Sequence, residues 1–156
     1  MGLTAKTRST GKAKVIQGAR RPRTPRDQVD TKEVALAIAE AGLDKKALNV
    51  ELIDVRGKVD YADFVAVMSG RSDRQVAAIA RGIEEALSER FGLRALGTEG
   101  IGQGSWVLMD FGDVVVHVFH EDTRGYYDLE SLWMDAGRLE VQGQEPRGHR
   151  LPYELD

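Results

Sequence analysis

Apolar positions recur along this chain with two different periods, and the switches between them mark its elements. Val34, Ile38 and Ala41 share one helical face behind an Asp30…Glu33 start of the capping-box kind. Gly42 weakens the end of that helix, while Lys45 and Lys46 suit a C-terminus slightly further on. From Val50 to Val55 the order Val50-Leu52-Asp54 alternates with Glu51-Ile53-Val55, which predicts a strand, and Arg56-Gly57-Lys58 supplies a turn. Phe64 to Met68 reads as a second short strand ending at Ser69-Gly70. Ser72 and Gln75 then open the strongest helix, in which Val76, Ile79, Ala80, Ile83 and Leu87 form one stripe. Its opposite face carries Arg74, Arg81, Glu85 and Glu89, and Gly92 closes it. Leu93 to Leu96 is expected to begin a third strand, and the glycine-rich run 100–104 to form a mobile connection. Trp106–Met109 and Val114–Phe119 predict two strands joined through Asp110-Phe111-Gly112-Asp113. A last helix is expected from about Asp122 or Asp128 to Ala136, followed by a loose polar segment.

The order helix, strand, strand, helix, strand, strand, strand, helix describes an α/β fold. A strand-to-helix step at Met68–Asp73 implies a crossover, hence parallel pairing, whereas the turn at Phe111-Gly112 implies antiparallel pairing. The expectation is a small mixed β-sheet flanked by helices. Residues 1–29 are expected to be a disordered basic tail, 30–136 the domain, and 137–156 a polar C-terminal tail.

Charge changes this picture by its placement. Residues 1–26 hold eight Lys or Arg and no acid, and the rest of the chain carries a net charge of −11 beneath a total of −3. Such an acidic domain favours a basic protein surface over direct grip on a phosphate backbone, although the tail at residues 1–26 could still touch RNA. The absence of cysteine removes disulfides, a thiolate nucleophile and Cys-type zinc sites. No apolar run approaches the ~20 residues of a membrane span, and no secretory signal core is visible. The Arg-rich, acid-poor tail shows no clear apolar face, so a bacterial extension is favoured over an organellar transit peptide.

Candidate chemistry gathers around the two late strands. Asp110 and Asp113 could hold Mg²⁺ for phosphoryl transfer, yet they stand three apart across a glycine turn, where Asp ordinarily bonds the backbone. His117 lies among valines on the face of Val115 and Phe119, and His120 and Glu121 add no recognised metal spacing. The Gly-rich run is G-x-G-x-G and precedes a strand, so it lacks the helix N-terminus that holds a pyrophosphate. Ser72 with Arg71 and Arg74 could meet a phosphate, but capping accounts for the same residues. No metal or cofactor site follows. Trp106, Tyr126, Tyr127 and Trp133, with Asp110, Asp113, Glu121 and Arg124, have the composition of a protein interface. Packing of the last helix accounts for Trp133. For Trp106, packing and exposure at a binding face stand open.

Asp60-Tyr61-Ala62-Asp63-Phe64-Val65, the run Ser69 to Val76, DFGDVVVHVFHE from Asp110 to Glu121 and YYDLESLW from Tyr126 to Trp133 together resemble the ribosomal silencing factor family, also called RsfS or Iojap. The resemblance covers about residues 30–136. It implies a nucleotidyltransferase-like fold without the catalytic set, and a non-enzymatic factor. The implied partner is large-subunit ribosomal protein fourteen on the large ribosomal subunit. Docking there would block the small subunit sterically and repress translation when nutrients run short, in the cytoplasm with an organellar setting left open. Trp106, Asp110, Asp113, His117, Glu121, Arg124 and Tyr127 are the expected partner-binding residues. An Mg-dependent nucleotidyltransferase-like enzyme using Asp110 and Asp113 is the alternative. A free sheet edge would also allow a homodimer. Gly125 stands where the family usually carries a helix former, so the helix after His120 is expected to be broken or to start later.

Overall fold

The computed structural model describes residues 30–144. The expectations for residues 1–29 and 145–156 lie outside them. Helix α1 (Thr31–Asp44) starts at Asp30, whose carboxylate accepts the Lys32 N–H. Strand β1 (Leu48–Asp54) follows, then β2 (Phe64–Gly70) and helix α2 (Asp73–Phe91). Ser72 caps α2 through the Gln75 N–H at 3.1 Å, and Gly92 ends it in the left-handed conformation, as the sequence predicts. Strands β3 (Gly97–Glu99), β4 (Trp106–Asp110) and β5 (Val114–His120) lead to helix α3 (Glu121–Tyr127), a 3₁₀ turn (Leu129–Trp133) and a short strand β6 (Arg138–Leu139).

The strands form one mixed sheet in the order β3-β4-β5-β2-β1-β6. β2 and β5 run parallel in the middle, with Val65 beside Val115 and Ser69 beside Phe119, and the remaining pairings are antiparallel. β2 is buried along its whole length, which explains why it reads as a continuous apolar run. The two edges are β3 and β6, of three and two residues, and short edges blunt strand-to-strand dimerisation.

Period-two alternation sends the side chains to two cores. Leu52, Phe64, Met68, Met109, Val116 and Val118 face α1 and α2, where they meet Ile38, Ile79, Ile83 and Leu87. Each such buried aliphatic contributes roughly 1.5–3 kcal/mol. Ile53, Val65, Val67, Val115 and Phe119 face the other way, towards Trp133 and Ala136. This second cover is narrow, and towards β4 it gives way to half-exposed Trp106 and Leu108.

Several local expectations are corrected. Leu93 is instead a buried residue finishing the α2 cap, with its N–H on the Leu87 carbonyl, and β3 begins only at Gly97. The last helix is two pieces. It runs unbroken through exposed Gly125 and stops at Asp128, whose φ of 49° cannot continue a right-handed helix. The polar segment from Gly137 is docked over its first residues, because Arg138 and Leu139 pair with Ile53 and Leu52. Beyond them the Gln144 amide both accepts from and donates to the backbone of Val50. The glycine run is a closed turn, with the Gln103 and Gly104 N–H groups on the Gly100 carbonyl. A Cβ at Gly100 would lie 2.1 Å from the Trp106 carbonyl oxygen, so this close approach requires glycine.

Candidate functional site

In β4, alternate residues Trp106, Leu108 and Asp110 point to the thinly covered sheet face, and in β5 so do Val115, His117 and Phe119. Register sets Trp106 opposite Phe119 and Leu108 opposite His117. The indole therefore reaches diagonally, and its Nε1–H donates to His117 Nδ1 at 3.0 Å. The Trp106 ring lies 4.8 Å from that of Phe119 and 4.9 Å from that of Tyr127, centroid to centroid. Tyr126 meets Tyr127 edge-on at 5.0 Å and is itself 81% exposed. These rings form one platform.

Beside it opens a groove of about 860 Å³, floored by Trp106, Leu108 and Tyr127 and flanked by Glu99, Asp122 and Tyr126. Glu99 arrives from β3, which pairs it with Leu108. Asp122 arrives from the first turn of α3, and the turn at Gly100–Gly104 walls one end. The helix start is set by His120, whose ring Nδ1 accepts the Asp122 N–H at 3.2 Å, so this ring serves as a cap.

His117 accepts a hydrogen bond at Nδ1, so its imidazole is neutral with the proton on Nε2. Burial pulls its pKa from 6.5 to about 4, partly opposed by the Glu130 carboxylate. Asp110 sits about 13 Å along β4 from Trp106, at the far end of the face. Its Oδ1 accepts the Gly112 N–H at 2.8 Å, and burial raises its pKa against the effect of that bond. The Asp113 carbonyl accepts N–H groups of Asp63 and Phe64, tying the turn to the start of β2. The two acids thus bracket a structural turn, and among the described residues no group of three or more His, Asp or Glu side chains converges as metal ligands would.

Of the residues expected to meet a partner, Trp106, His117 and Tyr127 come together, and Asp110 and Asp113 lie at the other end of the same two strands. Glu121 is exposed in α3, although its neighbour Asp122 lines the groove. Arg124 is placed differently. Its side chain is buried beneath α3, with Nε 2.8 Å from Glu130 and Nη2 3.8 Å from Glu51. Nη1 donates to Ser69 Oγ and to the carbonyls of Leu48 and Asn49. That guanidinium is spent inside the fold and positions α3. Leu108 and Glu99 were missed, although the alternation of Trp106 with Leu108 carried the signal for the first. Glu99 needed the β3–β4 register.

Residues 28–153 match the family model described as ribosomal silencing factor during starvation. The chain is similar to the ribosomal silencing factor RsfS of Halalkalibacterium halodurans, 46% identical over 100 residues, 64% of this chain and 85% of that protein. To the RsfS protein of Bacillus subtilis it is 44% identical over 108 residues, 69% of this chain and 91% of that one. A crystal structure of a protein from Chromobacterium violaceum superposes with a TM-score of 0.65 at 36% identity, covering 76% of this chain and 91% of that one.

Proposed function

This chain belongs to the ribosomal silencing factor family, and from that premise we propose that it represses translation by docking on the large ribosomal subunit. The partner in this reading is large-subunit ribosomal protein fourteen, and the docked domain stands where the small subunit would join. The factor is non-enzymatic and acts in the cytoplasm when nutrients are limiting.

The uncovered half of the sheet face supports the reading best. A half-exposed Trp106, held by His117 and backed by Phe119 and Tyr127, is a rigid aromatic anchor of the kind that dominates interfaces. Acids at Glu99 and Asp122 rim it, and Asp110, Asp113 and Glu121 extend the negative field to both ends of the face. A basic partner surface complements that arrangement. Steric exclusion requires affinity and placement only, and asks no reacting group of the site. Among the described residues no helix is long and apolar enough to cross a membrane.

Co-sedimentation with isolated large subunits tests the proposal, with small subunits added as competitor and Trp106→Ala as control. Saturable binding that excludes the small subunit and weakens in the variant is expected. Absence of binding at low salt would refute it.

A further inference from the structure

The charges left outside the groove are not scattered. Gln75, in the first turn of α2, accepts the Arg71 N–H at 2.6 Å and donates its amide to the carbonyls of Lys45 and Lys46 at 3.2 and 2.9 Å. One side chain thus gathers the backbones of Lys45, Lys46 and Arg71, and Arg74 directly precedes it. Residues some thirty positions apart in the chain are brought to one corner. All four cations are exposed, and none of them forms an ion pair within the described residues. Lys45 lies along α2, its stem against Gly82, where an added Cβ would come within 3.0 Å. The nearby acid Asp73 is turned towards Gly104. This leaves a basic strip on a domain that is otherwise strongly acidic.

Fold stability does not account for Arg71 and Arg74. Arg71 precedes the Ser72 cap and Arg74 lies in the first turn of α2, where the helix dipole favours Asp73 and disfavours cations. An anion at this corner would be welcomed by both the side chains and the helix end. The strip also adjoins the groove. β2 ends at Gly70, level with His120 at the end of β5, and Gly104, which abuts Asp73, belongs to the turn that walls the groove.

We propose that Lys45, Lys46, Arg71 and Arg74 form a contact strip for the phosphate backbone of ribosomal RNA beside the protein-docking face. The inference rests on the proposed ribosomal role for its choice of RNA. In this arrangement the aromatic groove selects the protein partner, and the strip adds a salt-dependent second contact that fixes the orientation of the domain on the subunit.

The test is the salt dependence of binding, measured on the full chain with large-subunit ribosomal RNA stripped of protein, with intact large subunits and with isolated ribosomal protein fourteen. The variant carries Lys45→Gln, Lys46→Gln, Arg71→Gln and Arg74→Gln, and the Arg71→Gln/Arg74→Gln pair serves if the fourfold change unfolds. Each phosphate contact contributes roughly 0.7–0.9 to the slope of log K against log salt, so loss of four lowers that slope by about 3 and loss of two by about 1.5. The expected result is that fall with stripped RNA, a weakening of at least tenfold with large subunits, and unchanged affinity for the isolated protein. An unchanged slope would overturn the strip. So would an equal loss with the isolated protein, which would assign these cations to an acidic protein surface. If the unaltered chain fails on large subunits but the slope still falls with stripped RNA, the strip stands and the silencing reading fails.

Discussion

The indole of Trp106 donates its N–H to Nδ1 of His117 at 3.0 Å, across two antiparallel strands and two residues off register. That bond fixes both rings: the imidazole must stay neutral to accept, and the indole cannot turn away from Phe119 and Tyr127 without losing a partner. An anchor ordered before docking loses less side-chain freedom on binding. Trp106→Phe, which keeps a ring and removes the donor, is therefore expected to weaken large-subunit binding several-fold. Trp106→Ala is expected to weaken it further at moderate salt, at a stability cost of about 2 kcal/mol for a half-buried ring. Co-sedimentation and urea titration read the two effects separately.

Stability should fall with acidity through the same pair. His117 binds a proton near 6.5 when unfolded and only near about 4 when folded. Its contribution is therefore complete above pH 6.5 and is lost as pH falls from 6.5 towards 4, roughly 3 kcal/mol in all. Asp110 acts in the opposite sense, because burial raises its folded pKa and disfavours the ionised form, so its contribution is lost as pH rises. His117→Gln keeps an acceptor for the indole, and should flatten the unfolding profile between pH 6.5 and 4. A profile with the same slope in the variant would remove His117 as its source.

Arg124 carries a different consequence. Its charge answers Glu130 at 2.8 Å and Glu51 at 3.8 Å in a buried setting, and Glu130 keeps one oxygen without a partner. Arg124→Met leaves Glu130 uncompensated, while Glu51 keeps Arg138 at 3.3 Å, and is expected to cost about 3–5 kcal/mol. Arg124→Lys should recover little, since a single ammonium cannot span Glu130, Ser69 and two carbonyls. Urea titration of Arg124→Met with Glu130→Met added should show part of the loss restored.

What was legible in the sequence was whatever local pattern decides. Ser72 and Gly92 bound α2, alternation orients β1, and the turn residues at 111–112 predict the β4–β5 hairpin. The mixed sheet follows from those signals together with the strand-to-helix step at Met68–Asp73. Less legible were features decided by partners distant in the chain. Arg124 read as an interface cation because nothing near it reveals Glu51 or Ser69 beneath it. β6 is two residues of an otherwise polar segment, held by pairing with β1 and by Gln144. The site divides the same way. Trp106, His117 and Tyr127 were legible by type, but their union depends on register.

Two glycines should respond oppositely to alanine. At Gly100 a Cβ would strike the Trp106 carbonyl, and the φ of 89° is itself disfavoured for alanine. Gly100→Ala is expected to cost roughly 1–3 kcal/mol and to weaken docking by displacing the start of β4. Gly125 is helical, with nothing within 4 Å of an added Cβ. Gly125→Ala should raise stability by roughly 0.5–1 kcal/mol, seen as an upward shift in thermal midpoint, and leave docking intact.

The acidic rim separates field from structure. Asp122 has a side chain 91% exposed, so its reversal changes the potential over the groove while disturbing little else. Asp122→Lys loses a favourable charge at the start of α3, which costs under about 1 kcal/mol. Large-subunit binding should nonetheless slow several-fold at low salt and converge with the unaltered chain at high salt, because rim charges act mainly on association. Asp110→Lys is a harsher change. Asp110 holds the Gly112 N–H, so its reversal should lower stability and binding together. Stopped-flow association with large subunits at two salt concentrations distinguishes these cases. If both reversals left the association rate unchanged at low salt, the partner would not be reading this negative field, and the docking face would have to lie elsewhere on the domain.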